Sequence, residues 1–335
     1  MRRRSGKSWL VLGLGLALPL LAGCGQKSPG LQDSAVAPDT QLFENGMRYL
    51  EKSQYLKARL AFQTLINTYP DSEYTPAAFL AIADSYYAEG GSENLLQAEA
   101  QYKDFLIFYP THEMADDAQL KVAAINYRLM KPYDRDPTNA RKAEMEIRRF
   151  LEHYPDSELS PTAREALREV EETLARRDQE IGDFYFSRNS YLAAEGRYKE
   201  VLDKYPDYSR MDVTLYRLAR SLEEIGRVSE ATVYYEKIAR EYPFSQYFND
   251  AKEKLILLER EIPAVDQQAA ARHEANLRED GFSFMDPVKA VVEFFTGRPD
   301  IYEVARKRAE AQRVQAEGGL PNTELPGTVG SSPQE

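Results

Sequence analysis

Catalysis needs nucleophiles, bases or metal ligands held close together, and this chain offers few. Among 335 residues there is one cysteine, Cys24, and three histidines, His112, His153 and His273. The histidines are widely separated, and none belongs to an HExxH pair that would set two imidazoles on one helix face over a metal. No GxSxG turn presents a serine. Gly90-Gly91 runs into Ser92-Glu93 with no lysine to meet a phosphate, so it reads as a turn. Carboxylates are abundant, 54 Asp+Glu, but they fall on helix faces expected to meet solvent. The expectation is no catalytic residue, no metal and no cofactor. A missed enzyme would need a closed polar pocket with converging carboxylates or histidines.

Cys24 has another chemistry open to it. Arg2, Arg3, Arg4 and Lys7 precede the apolar stretch Trp9 to Ala22. A basic head, a short apolar segment and small residues before a cut describe a secretory signal. Those 14 residues would span about 21 Å as a helix, and a bilayer core needs roughly 20 residues. Leu21-Ala22-Gly23-Cys24 also matches the bacterial lipobox, in which cleavage falls before the cysteine and the thiol is diacylated. A Cys24 diacylated on sulfur and acylated on nitrogen would hold a soluble domain stably at a membrane surface. The next residue, Gly25, is not Asp, which in lipoprotein sorting favours the outer over the inner membrane. The alternative is an ordinary signal peptide with an accidental cysteine. A lone cysteine excludes an intramolecular disulfide framework.

Removing residues 1–23 takes four basic and no acidic residues from the 43 Lys+Arg, so the formal charge moves from −11 to −15. That argues against nucleic acid, which needs a basic face, and against broad binding to anionic lipid. Tyrosine is plentiful, 22 against 14 Phe and one Trp. It suits helices that pack on one face and meet water or a partner on the other.

The elements that position these residues declare themselves as repeats. Tyr-Pro pairs stand at 69–70, 109–110, 154–155, 205–206 and 242–243, spaced by 40, 45, 51 and 37 residues. Proline cannot continue a helix and disfavours helical geometry in the residue before it, so five helix ends are expected. Upstream of each proline, at −12, −8 and −5, stand Ala58/Phe62/Leu65, Ala98/Tyr102/Phe105, Ala143/Ile147/Phe150, Ala194/Tyr198/Val201 and Ala231/Tyr235/Ile238. Steps of four and three place each trio on one helix face. An earlier helix carries a small residue and a large one: Gly46/Tyr49, Ala83/Tyr86, Ala124/Tyr127, Gly182/Tyr185 and Ala219/Leu222. This pattern resembles the tetratricopeptide repeat, a helix–turn–helix unit of about 34 residues. The expected fold is all-α, a tetratricopeptide-repeat α-solenoid of about five helix pairs with extra C-terminal helices.

Local signals refine this. Thr75-Pro76 and Ser160-Pro161 read as an N-cap followed by proline at the first helical position, and Asp136-Pro137 reads likewise. The charged stretch 161–178 either lengthens the first helix of repeat four or adds a helix before it. Residues 264–280 read as a polar linker carrying His273. In 281–297, Val288, Val291, Val292 and Phe295 recur at helical spacing, either capping the last repeat or docking a partner or membrane. The expected organisation is a signal peptide over 1–23, a tether over 24–38, and repeats over 39–262. Linker and C-terminal helices follow over 263–317, then a disordered tail over 318–335.

The lipobox, the repeats with YP-D-S endings, and KPYDRDPTNARKAEMEIRRFLEHYPDS at 131–157 together resemble the BamD family, outer-membrane lipoproteins of the β-barrel assembly machinery. The most specific piece is Asp134 to Ala140, an insertion generic repeats lack. The stretch 162–194 is similar too, whereas the last 70 or so residues are not. The resemblance implies a lipid-anchored scaffold facing the periplasm. It would bind unfolded outer-membrane proteins, whose exposed strand edges aggregate, and dock on the barrel-forming subunit beside other lipoprotein subunits. It points to Tyr49, Tyr55, Tyr86 and Tyr87 for an extended substrate strand, with repeat core as the other reading. It points to Arg188, Arg197 and Lys199 for the barrel-forming subunit, with exposed helix charge as the other reading. Asp134, Arg135 and Asp136 would either shape a partner-contacting loop or only cap and salt-bridge the insertion. The rival is another tetratricopeptide envelope lipoprotein, scaffolding peptidoglycan or cell-division proteins.

Overall fold

A computed structural model describes residues 37–280; Cys24 and the helices expected over 281–317 lie outside them. The described residues form twelve helices and no strand. Five pairs follow in order: α1 (Pro38–Glu51) with α2 (Tyr55–Thr68), α3 (Thr75–Glu89) with α4 (Ser92–Phe108), α5 (Ala115–Arg128) with α6 (Thr138–His153), α7 (Ser160–Ser187) with α8 (Tyr191–Lys204), and α9 (Met211–Glu224) with α10 (Val228–Glu241). Then come α11 (Phe248–Leu257) and α12 (Gln267–Asp280). From α1 to α11 each helix packs on its neighbour in sequence, the nearest-neighbour order of a repeat array.

All fifteen side chains of the five trios are fully buried, at 0% exposure. Each large one contributes about 1.5–3 kcal/mol by leaving water. The small residue on the first helix lets the pair close over them. A Cβ on Gly46 would lie 2.5 Å from the Phe62 ring, and one on Gly182 would lie 2.5 Å from that of Tyr198. The second ring cannot swing aside freely, because the Tyr198 hydroxyl donates to Asp183 at 2.6 Å.

Every second helix stops on the tyrosine of its Tyr-Pro pair. Tyr69, Tyr109, Tyr154, Tyr205 and Tyr242 are the C-caps, with φ between −125° and −131° and ψ between 54° and 64°. The proline forces that departure from helix. The serine that follows ties the unit shut. Ser72 donates to Asp39 at 2.6 Å, Ser157 to Asp116 at 2.6 Å and Ser245 to Asp212 at 2.5 Å, each carboxylate lying in the first turn of its repeat's first helix. The same serine oxygens accept the amides of Tyr74, Leu159 and Tyr247. In repeat two His112 replaces the serine, its Nδ1 accepting the Met114 amide at 3.2 Å.

Two expectations change and one alternative is settled. Thr75 and Ser160 are not side-chain caps: their hydroxyls donate backwards, to the carbonyls of Tyr69 and Tyr154, each at 3.0 Å. Of the two readings of 161–178, the structure shows the lengthened first helix of repeat four: α7 runs to 28 residues. The polar linker is largely helical, because α12 buries a small face, Ala269, Ala270 and His273, beside α10. Its predecessor α11 turns at Glu259, φ 53°, with the Arg260 amide on Leu255. Ser53 and Asn189 turn repeats one and four in the same way. The helix α11 is thus the first half of a sixth unit, and α12 follows in place of its second.

The tight contact gives a signed prediction. Gly182→Ala should cost about 1–3 kcal/mol through overpacking. Gly196→Ala, also mid-helix but with nothing within 4 Å of its Cβ, should stabilise by up to about 1 kcal/mol. Urea denaturation of the two variants reads both signs.

Candidate partner-binding surfaces

Repeats one and two hold the four candidate tyrosines, and one fails. Tyr87 is 1% exposed. The Arg128 guanidinium lies 4.5 Å and the Lys121 ammonium 5.2 Å from its ring centre. It is interior and has no face for a strand. Tyr86, one residue earlier and turned by about 100°, is half-buried with the Arg59 guanidinium 4.1 Å over its ring. Arg59 is itself held by Glu89 at 2.7 Å. Tyr49 is half-buried against the repeat-one core, with Lys57 5.7 Å over its ring. Tyr55 is half-buried at the start of α2. The more exposed apolar groups are ones the sequence reading passed over: Leu56 at 74% and Leu60 at 67% on α2, with Ile107 and Phe108 at the end of α4. Leu56 and Leu60 stand two residues either side of buried Ala58, so their offset from the buried trio could have marked them.

Behind Tyr87 lies a buried polar cluster. Asp84 is fully buried and accepts the Tyr102 hydroxyl. Burial pushes its carboxyl up to about 7, against the pull of the buried Lys121 ammonium and of that hydroxyl.

The repeat-four cations do not form one patch. Lys199 bonds Glu195 at 2.7 Å and approaches Glu230 of α10 at 4.0 Å. Glu195, itself buried, also takes both bonds of Arg227 at 2.7 Å. Lys199 therefore belongs to a strut between α8 and α10, and hydrogen bonding to Glu195 raises its pKa. Arg197 bonds Glu200 along its own helix at 2.9 Å. Arg188 differs. It caps α7, is exposed, and has no carboxylate partner among the described residues. Its guanidinium lies 3.7 Å over the half-exposed Phe184 ring, and Leu192 at the start of α8 is 71% exposed.

The 134–136 insertion divides the same way. Asp136 accepts the Thr138 amide at 3.1 Å and its hydroxyl at 2.7 Å, which starts α6. Those bonds lower its carboxyl pKa. Asp134 and Arg135 are exposed and face each other at 3.7 Å. Tyr133 pins the loop, its ring 4.0 Å under the Arg176 guanidinium of the α7 extension. The insertion and the lengthened helix are one device.

Among the described residues no group of three or more His, Cys, Asp or Glu is placed to hold a metal ion. His153 bonds its own helix through the Arg149 carbonyl, and His273 is buried under aromatic rings.

Comparison with known proteins adds a family. The model described as "YfiO: Outer membrane lipoprotein" matches residues 36–230, more than half of the chain. A relative from Rickettsia prowazekii named "Outer membrane protein assembly factor BamD" is 26% identical over 242 residues, covering 72% of this chain and 92% of its own. Its namesake in Vibrio cholerae is 26% identical over 224 residues, covering 63% and 89%. That in Caulobacter vibrioides is 24% identical over 253 residues, covering 75% and 82%.

The buried carboxyl yields a pH prediction. Its pKa is raised in the fold, so the folded chain keeps a proton that the unfolded chain releases above about 4, and stability falls as pH rises from there to about 7. Urea midpoints at pH 5 and pH 8 should differ less in Asp84→Asn than in wild type; an equal difference would remove Asp84 as the cause.

Proposed function

The chain belongs to the YfiO family of outer membrane lipoproteins, and from that membership we propose that it is an outer membrane protein assembly factor working as a binding scaffold. The observation that carries this is the family match, which begins before α1 and runs into α10, through almost the whole five-pair array. Cys24, the first residue once 1–23 are removed, is the lipid anchor, diacylated on sulfur and acylated on nitrogen. The array faces the periplasm. Stacked helix pairs suit the capture of extended or helical segments of other proteins rather than catalysis.

Within the array the two ends divide the work. Repeats one and two receive unfolded outer-membrane protein, through half-buried Tyr49, Tyr55 and Tyr86 with exposed Leu56 and Leu60. The α7–α8 hairpin docks on the barrel-forming subunit. There Arg188 is the leading contact: a guanidinium already stacked on a ring loses little freedom on binding and keeps its donor edge for a carboxylate. Arg197 can join it by giving up a surface ion pair worth at most about 1 kcal/mol. Lys199 supports the hairpin from inside the strut. Asp134 and Arg135 present the insertion to a partner lipoprotein.

Gentle-detergent purification of the tagged protein from its native membrane tests this. The expected result is a co-purifying outer-membrane barrel subunit with periplasmic domains, diminished by Arg188→Glu with Arg197→Glu. A complex without that subunit, or one dominated by peptidoglycan-associated proteins, would overturn the assembly role.

A further inference from the structure

Helix α12 lies beyond the family-matched residues 36–230. Its buried side chains are Ala269, Ala270 and His273. Asp266 caps its first amides, those of Gln268 and Ala269, at 2.9 and 3.1 Å. The Asp266 amide donates to the Arg240 carbonyl of α10 at 2.8 Å. One turn past His273, Asn276 meets Arg168 of α7 at 3.2 Å.

His273 is the odd member of that face. It is 3% exposed, and neither Nδ1 nor Nε2 has a hydrogen-bond partner. Tyr242, the C-cap of α10, meets the ring edge-on at 5.1 Å, and Phe244 leans on it at 6.0 Å. Between two aromatic rings a neutral imidazole acts as an apolar plate. An imidazolium there would carry two buried N–H donors that make no hydrogen bond in the docked geometry. The carboxylate facing it is Asp212 of α9, already accepting the Ser245 hydroxyl at 2.5 Å. From α7 comes a cation, Arg168. Arg272 and Glu274 flank it on α12, both exposed. Tyr242 contributes a phenol whose pKa burial raises, so it stays neutral.

We infer that α12 is an acid-released latch, docked beside α10 while His273 is neutral and undocked once His273 is protonated. Desolvation outweighs the attraction of Asp212 and lowers the imidazole pKa. The sign follows. The docked state binds the proton less well than the free helix, so docking is full above the free-helix value of about 6.5 and weakens as pH falls below it, by up to tenfold per unit. Release would uncover the side of Tyr242 that His273 covers.

Hydrogen exchange of the full-length protein, corrected for intrinsic rates, tests this at pH 7.5 and 5.5. Protection of 267–277 should fall up to about tenfold in wild type and stay level in His273→Leu, with no parallel fall in the five repeats. An unchanged wild type, or an equal fall in the variant, would overturn the latch. Should His273→Leu undock α12 at both pH values, nitrogen-15 histidine NMR of wild type decides. The resonance that this substitution removes must titrate below about 6.5, and titration at or above that value would overturn the proposal.

Discussion

The structure depends on how closely two helices of one pair can approach. Gly46 sits under Phe62 and Gly182 under Tyr198 at distances that leave no room for a methyl group. Ala83, Ala124 and Ala219 occupy that place in the other pairs, each fully buried. Only with a small residue there can the ring of the second helix fill the gap and exclude water. Because each unit touches mainly its neighbours, this local fit sets the position of the next unit and so carries through the array.

Two further devices build on it. The Ser–Asp clasps join the end of a unit to the start of its first helix, so the Tyr-Pro turn is held by charge-assisted bonds as well as by proline geometry. The second is the variation at the middle of the array. Extending α7 provides Arg176, on which Tyr133 of the insertion rests. A loop that would otherwise wave in solvent is thereby fixed, with Asp134 and Arg135 at its tip. A stacked Arg188 and a pinned loop share one property: a side-chain stack holds the polar group in place.

Much of this was legible in the residues. The five trios and the five helix ends follow from spacing and proline chemistry alone, because both are local. What escaped depends on contacts between units. Tyr87 looks like Tyr86 in sequence, yet one residue of rotation sends it inward beside two cations. Lys199 reads as a surface charge until Glu195 is found buried behind it. Thr75 and Ser160 look like caps, but the carbonyls of the preceding Tyr-Pro turn lie within reach and take their hydroxyls. The α12 face is only Ala, Ala and His in a polar segment, too slight a pattern to declare a helix. The lipobox reading of Cys24 rests on residue types and spacing alone and lies outside the described residues.

The chain belongs to a family of outer membrane lipoproteins, and the proposed role is that of a scaffold in outer-membrane protein assembly. That role is most directly tested by depleting the protein in its native cell and following heat-modifiable, folded barrel proteins in the outer membrane. The account predicts that folded barrels decline together while their unfolded precursors accumulate in the periplasm. Full-length protein should restore them, and a Cys24→Ser form should restore them poorly. Barrel levels that hold steady through depletion would contradict it.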